Sequence, residues 1–145
     1  MAKNLDELRD SVRARGLRAT PSRLAVLELV RASDAPISHG DVAERLSTQT
    51  WDRATIYRNL TDLAEVGLLR RTDVGDHVWR FEARLPGDEH DTAHPHFVCT
   101  ECGSVKCLPE LELSLLSAMR RTKAPRAIKQ RQVEVHVRGL CDSCI

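Results

Sequence analysis

The sequence predicts an α+β fold in two parts: a helical first half that ends in a β-hairpin, and a smaller mixed second half. Apolar residues in the first half recur at steps of three and four, which is the period of a helix. Two β-rich runs then flank the turn sequence Asp73-Val74-Gly75-Asp76, which indicates a hairpin. The second half has short strand-like runs, one amphipathic helix and two cysteine pairs.

Four helices are expected before the hairpin, and the sequence also marks where most of them start. The first repeats Leu5, Leu8 and Val12 at helical spacing. Pro21 suits the first position of the second helix, and Gly67 suits the end of the fourth. Ser, Thr and Asp side chains can accept hydrogen bonds from the unpaired amides of a helix start. The predicted capping residues are Thr20, Ser38 with Asp41, and Asp52.

Helices followed by a hairpin are the order of a winged helix-turn-helix, which we predict for residues 1–82. Residues 83–93 contain Pro, Gly and several charges, which is typical of a hinge. Residues 94–145 read as strand, strand, a helix after Pro109, and strand. A sheet this small cannot bury both faces alone, so we expect an α/β domain that pairs with a second copy.

Composition restricts the class of protein. The chain has 145 residues, 41% of them hydrophobic, and a net charge of +1. That charge is uneven: +2 over residues 1–72, −4 over 73–92 and +3 over 93–145. No stretch is long and apolar enough to span a membrane, and the charged N-terminus lacks a signal-peptide core. We therefore expect a cytoplasmic protein, in which five cysteines favour metal or thiol chemistry over disulfides.

Two Cys-x-x-Cys pairs carry the strongest chemical signal. Each two-residue gap lets both sulfurs turn toward one point, and two such turns supply four thiolates, the tetrahedral set of a structural Zn²⁺ site. Such a site has no open position for catalysis, and its binding energy becomes folding energy. Paired disulfides or separate thiols are the alternatives. The four residues are Cys99, Cys102, Cys141 and Cys144.

Nearly the whole chain resembles the ferric-uptake-regulator family of metal-responsive transcription factors. The resemblance rests on "RGLRATPSRLAVLELV", "RATIYRNLTDLAEVGLL", the hairpin ending "RFE", "HPHFVCTECG" and the terminal "GLCDSC". It implies a homodimer that binds operator DNA through the winged helix and dimerises through its C-terminal α/β domain. It also implies a structural Zn²⁺ on the four cysteines named above.

The run "RATIYRNL" is the candidate DNA-reading helix, because the start of such a helix can place side chains in the major groove. The resemblance implies base and phosphate contacts for Tyr57 and Arg58 and a minor-groove approach for Arg18. A solvated surface Arg, or a core position for Tyr57, is the alternative in each case. The candidate DNA-binding residues are Arg15, Arg18, Arg23, Arg53, Thr55, Tyr57 and Arg58.

The resemblance also implies a second, regulatory metal, held by Glu82 at the end of the hairpin and by His94 and His96. Residues two apart in a strand face the same side, so these two imidazoles can share one ion. The chain departs from its relatives where they often have His and it has Pro36. The nearby imidazoles that could substitute, unless they are plain surface residues, are His39 and His77. His90 and His136 are candidates for an additional site.

Cys107 is the second departure, because relatives commonly have Asp or Glu at this ligand position. A thiolate is softer and favours zinc over iron or manganese. A small half-buried strand residue and an oxidisable thiol are the alternatives.

The sequence therefore predicts a dimeric, metal-dependent DNA-binding repressor rather than an enzyme, most simply a zinc-responsive regulator of metal homeostasis. A peroxide-sensing repressor with Fe²⁺ or Mn²⁺ is the alternative. A zinc enzyme or thiol oxidoreductase is a distant third, because no general base or substrate motif accompanies the candidate ligands.

Overall fold

The computed structural model describes residues 2–84, 94–109, 111, 125–129 and 133–145, with side chains from residue 4 onward in the first range. The chain divides into two compact units, Met1–Arg84 and Leu85–Ile145. The predicted hinge lies almost entirely outside the described residues, as does most of the helix predicted after Pro109, and both stay predictions.

Four helices build the first unit, and the predicted capping residues start three of them. The Thr20 hydroxyl accepts the Arg23 amide, and the Asp52 carboxylate accepts the Thr55 amide at 2.7 Å. Ser38 and Asp41 form the complete capping box. Each cap contributes about 1 kcal/mol to helix stability. The helices are α1 (Ala2–Ala14), α2 (Pro21–Arg31), α3 (His39–Arg45) and α4 (Arg53–Glu65).

One hydrophobic core holds these helices together. The apolar stripe of α2 meets that of α4, and the fully buried Phe81 closes the core from the sheet. Asn59 is a buried polar residue beside this core, and its side-chain amide donates to the Ser22 hydroxyl at 3.0 Å, so the buried group has a partner. The buried core residues are Leu8, Val12, Leu24, Val26, Leu27, Val30, Ile37, Val42, Ala43, Ile56, Leu60, Leu63, Leu68, Leu69 and Phe81.

A three-stranded antiparallel sheet forms the wing. Its strands β1 (Ile37–Ser38), β2 (Leu69–Asp73) and β3 (Trp79–Ala83) are ordered β1-β3-β2. The sequence predicts the β2–β3 hairpin but not β1, which is a two-residue strand paired with β3. At the turn, the Asp73 carboxylate accepts the amides of Gly75 and His77 at 2.8 and 3.1 Å.

The second unit is built on another three-stranded sheet, ordered β5-β4-β6. Its strands are β4 (His96–Cys99), β5 (Val105–Cys107) and β6 (His136–Gly139), and the short helix α5 (Arg126–Lys129) was not predicted. Strand β4 runs antiparallel to β5 and parallel to β6. The Phe97 ring packs over Gly139, where an added Cβ would lie 3.4 Å from the ring, in van der Waals contact.

Candidate metal centre and nucleic-acid interface

Four cysteine sulfurs converge at one end of the second sheet. Their ligand atoms all lie within 4.8 Å of one another, and those of Cys102 and Cys141 are 3.7 Å apart. Sulfurs 2.3 Å from a tetrahedral zinc ion lie about 3.8 Å from each other, so the spacing fits that ion. None of the five cysteines, all of them described residues, is in a disulfide. The cysteine site comprises Cys99, Cys102, Cys141 and Cys144.

The backbone brings the two cysteine pairs together. Cys99 ends β4 and the second pair follows β6, so the parallel pairing of these strands delivers both to the same place. The Thr100 amide donates to the Gly139 carbonyl at 2.9 Å, and the Cys141 amide donates to the Cys99 sulfur at 3.4 Å. Gly103 turns the chain after the first pair with φ of 72°, a region that favours glycine.

The hydrogen bonds around the four sulfurs favour binding of a cation. Hydrogen bonds from the backbone amides of Cys102 and Cys141 lower the pKa of Cys99 to about 6. A hydrogen bond with the Ser104 hydroxyl also lowers the pKa of Cys102. In contrast, hydrogen bonding with the Cys141 side chain raises the pKa of Cys144 to about 12. Four crowded sulfurs do not all ionise by themselves, and a divalent metal supplies the charge that holds them as thiolates.

A second group of ligands lies on the same sheet. His96 is opposite Cys107 in the β4–β5 pairing, and His94 lies two residues before His96. The ligand atoms of these three residues are within 4.8 Å of one another, and the two imidazole centroids are 5.0 Å apart. His96 is only 1% exposed. We call these three residues the His₂Cys group; two imidazoles and a thiolate suit Zn²⁺.

His136 extends this group across the sheet in a way that the sequence did not reveal. It is the β6 partner of His96, so Cys107, His96 and His136 form one row over three strands. The rings of His96 and His136 stack with centroids 6.1 Å apart and planes 22° apart. Glu134 places a carboxylate oxygen 3.5 Å from Nε2 of His136. Only the register between β4 and β6 brings His136 beside His96. The alternation of inward and outward side chains along one strand does not predict that register.

The remaining predicted ligands belong to the first unit. Glu82 is 6% exposed, with a carboxylate oxygen 4.0 Å from the Arg70 guanidinium. His77 lies at the wing turn with φ of 60°, 3.8 Å from Asp73. His39 contacts helix α4. Among the described residues, neither His77 nor His39 joins a group of three or more metal ligands.

Helix α4 presents the predicted DNA-reading side chains on the face opposite its core. Ile56, buried with Leu60, anchors the helix, while Tyr57 is 44% exposed. The structure therefore excludes a core position for Tyr57. Arg53 and Arg58 are exposed, as is Arg18 before α2, and Thr55 is half-buried beside its cap.

The two other predicted cationic contacts have partners within the unit. Arg23 is largely buried: its guanidinium binds Asp62 at 2.5 Å and the Arg18 carbonyl at 2.7 Å. Arg15 is exposed and donates to the Val66 carbonyl, at the end of α4, at 2.6 Å. Both residues hold α4 in place, a role that the sequence did not reveal because their partners are distant in the chain. Their contact with DNA stays a prediction.

Comparison with known protein families identifies the chain. The model of the ferric uptake regulator family matches residues 14–136. The chain belongs to the ferric uptake regulator family. Its members are transcription regulators rather than enzymes. This protein is therefore a metal-dependent transcription regulator, and the enzyme alternatives are excluded.

Individual relatives are distant in sequence, but the matches extend over nearly the whole chain. The peroxide-responsive repressor PerR of Staphylococcus aureus (strain Mu50 / ATCC 700699) is 25% identical over 142 residues, 97% of this chain and 90% of that protein. The ferric uptake regulator of Vibrio cholerae is 25% identical with a TM-score of 0.65, covering 92% of this chain and 98% of that chain. A zinc uptake regulator complexed with zinc and DNA is 24% identical with a TM-score of 0.59, covering 99% and 93%, and shows the fold alone. The predicted α+β fold, a winged helix plus a dimerisation domain, is confirmed.

None of the described helices is long and apolar enough to cross a membrane.

Proposed function

We propose that this family member is a homodimeric, zinc-responsive repressor that binds operator DNA when its regulatory metal is present. The proposal includes a structural Zn²⁺ on the cysteine site and a second Zn²⁺ on the His₂Cys group. Because the proposed partner is operator DNA, we propose that the protein acts in the cytoplasm.

The observation that carries the proposal is the place of Cys107 beside His94 and His96. Three ligand atoms within 4.8 Å, one of them sulfur, form a donor set that favours Zn²⁺ over the harder Fe²⁺ and Mn²⁺. Bound there, the metal would supply Lewis acidity without redox chemistry. The sheet orients the ligands: the β4–β5 register places Cys107 opposite His96, and the buried position of His96 excludes water from one side. A ligand role for Glu82 rests on the family resemblance.

DNA binding is proposed for the exposed face of α4. Arg53, Tyr57 and Arg58 project from its first two turns, where side chains of a helix in the major groove reach base edges and phosphates. Arg18 adds an exposed cation before α2. Regulation requires that the metal-bound dimer and the metal-free protein differ in affinity for DNA, and the size of that difference sets the response.

Zinc removal and peroxide distinguish the proposal from its main alternative. A duplex selected from a random-sequence library by the zinc-loaded protein serves as the probe. We expect a zinc chelator to release this duplex, re-addition of Zn²⁺ to restore binding, and low peroxide to have no effect on the zinc-loaded protein.

The alternative is a peroxide-sensing repressor with Fe²⁺ or Mn²⁺, and it is favoured by the curated relatives named PerR. It predicts that the Fe²⁺-loaded protein releases the duplex at low peroxide, with one added oxygen on His94 or His96 by mass spectrometry. That result, together with DNA binding that ignores zinc, would overturn the zinc proposal.

A further inference from the structure

His39 does not join either group of metal ligands, yet it makes two specific contacts with the DNA-reading helix. Its Nε2 lies 2.9 Å from the backbone carbonyl oxygen of Arg53, the first residue of α4. Its ring meets the Tyr57 ring edge to face, with centroids 5.3 Å apart and planes at 71°. One imidazole therefore connects the start of α3 to the first turn of α4 and to the aromatic side chain one turn later.

The hydrogen bond fixes the orientation of the imidazole. A carbonyl oxygen only accepts, so Nε2 of His39 must carry the proton and donate it. His39 is also the first residue of α3, where Ser38 and Asp41 form the capping box, so its backbone is held as well. The ring is fixed at both ends and offers Tyr57 a defined surface.

The ring contact between His39 and Tyr57 is not what packs the two helices together. The core side chains Val42, Ile56 and Leu60 are 0–1% exposed and already pack α3 and α4 into the first unit. His39 is half-buried and Tyr57 is 44% exposed, so their contact lies outside that core. An edge-to-face aromatic contact at such a place mainly restricts the side-chain rotamers of the tyrosine.

We propose that His39 is a positioning residue for DNA recognition, which acts by holding the Tyr57 ring in its binding orientation before DNA arrives. A side chain that is already ordered loses less conformational entropy on binding, and the gain appears as affinity. The inference rests on the proposed DNA-binding role of α4 and assigns His39 to the DNA interface rather than to a metal.

The first test uses the fact that Tyr57 is the only tyrosine in the chain. Protein labelled with ¹³C on its tyrosine ring gives NMR signals from Tyr57 alone. We expect His39→Ala to shift and narrow these signals in the DNA-free, zinc-loaded protein, because the imidazole no longer lies over the ring. The exposed residue Gln49 supplies the control, Gln49→Ala, which should leave the signals in place.

The second test is a double-mutant cycle on affinity for the selected duplex, at one salt concentration. His39→Ala should weaken binding about three- to tenfold, the size expected for one edge-to-face aromatic contact. In a Tyr57→Ala background the same change should weaken binding less than about twofold, because no ring remains to be positioned. His39→Phe keeps an aromatic edge and should restore part of the lost affinity.

Unchanged tyrosine signals in His39→Ala, or equal losses of affinity with and without Tyr57, would overturn the inference. Thermal unfolding of each variant separates these results from misfolding, since His39→Ala should unfold within a few degrees of the parent protein. The proposed function fails by a different result: Tyr57→Ala, Arg53→Ala and Arg58→Ala would all bind the duplex as tightly as the parent.

Discussion

Individual residues divide into those whose partners are close in sequence and those whose partners are far away. The convergence of the four cysteines was predictable because each Cys-x-x-Cys pair is a local turn. Only one long-range contact, between the two turns, is then needed to bring all four sulfurs together. The ion pair of Arg23 could not be predicted, because its partner Asp62 is 39 residues away and a basic residue in the first turn of a helix is also typical of a phosphate contact. The position of His136 beside His96 could not be predicted for the same reason, since it depends on strand register.

The proposed preference for zinc rests on Cys107, and the matched change is Cys107→Asp, which replaces the thiolate with an oxygen donor. We expect the His₂Cys group of this variant to bind Zn²⁺ at least about tenfold more weakly and to bind Mn²⁺ more tightly, because a hard donor replaces a soft one. Competition titration of protein whose cysteine site is already filled measures both affinities.

His94→Ala is the companion variant, and metal content after purification is its readout. It should fall from two zinc ions per chain to one with the fold intact. Loss of both ions and of the fold would contradict two separate sites. Lys106→Ala, an exposed change on the same strand as Cys107, is the control that should keep both ions.

Arg23 and Arg18 differ in burial, which gives a paired test of structure against DNA binding. Arg23→Met leaves Asp62 without its ion pair, so we expect the free energy of unfolding to fall by about 1.5–3 kcal/mol. Arg18→Met removes an exposed cation and should leave stability within about 0.5 kcal/mol of the parent while weakening DNA binding. Urea unfolding and duplex titration measure the two effects. An unchanged stability in Arg23→Met would show that the ion pair contributes nothing.

At the scale of elements, helix starts were predicted well and strands less well. Thr20, Ser38 and Asp52 cap the helices as expected, because a cap is a bond between residues three apart in the chain. Strand β1 was missed because two residues carry no periodic signal, and it exists only through its pairing with β3. The four-residue helix α5 is too short for an apolar repeat to reveal it.

The wing hairpin contains an ion pair that should be lost as the pH falls. Asp76 binds the Arg80 guanidinium through two oxygens at 2.9 and 2.8 Å, and this hydrogen bonding lowers its pKa to about 2. A carboxyl group whose pKa is lowered by folding stabilises the folded state at pH values above its unfolded pKa of about 3.9. That stabilisation disappears as the pH falls toward about 2.

We therefore expect Asp76→Asn to lower the stability of the first unit at pH 7 by less than about 1 kcal/mol, since the pair is partly exposed. The difference from the parent protein should shrink between pH 4 and pH 2, the range set by those two pKa values. Denaturant unfolding at several pH values measures it, with NMR titration of the Asp76 carboxyl as the direct check. A difference that stays constant down to pH 2 would exclude the ionised pair as its source.

At the scale of the whole molecule, the division into two units followed from a change in pattern along the chain. The helical period ends before the wing, and the cysteines and the His-x-His motif fall in the second half. The structure separates Met1–Arg84 from Leu85–Ile145. The sequence predicts a hinge between them, whereas dimer contacts depend on a second copy that one sequence does not contain.

The two units should depend differently on metal. The first has its own extended hydrophobic core, whereas the second joins both cysteine pairs at one site. Cys141→Ser should therefore lose the structural Zn²⁺ and increase amide exchange of β4 and β6 at least about tenfold, while α2 and α4 stay protected. Hydrogen exchange with mass spectrometry measures both regions together. Cys107→Ser is the control, because it changes a cysteine outside the cysteine site. Loss of protection from amide exchange in both units at once would contradict their independence.

The parallel pairing of β4 with β6 also bears on how this part of the chain can change in evolution. His96 pairs with His136, Cys99 ends β4 and the second cysteine pair follows β6, so strand pairing and a metal on the four cysteines would close the same long connection. Closure entropy grows only with the logarithm of loop length, and ten extra residues between Cys102 and Cys141 would cost about 0.2 kcal/mol. Insertions and deletions between β5 and β6 that leave both strands unchanged should therefore be nearly neutral for metal retention at the cysteine site, which leaves the length of this segment open to selection for other properties.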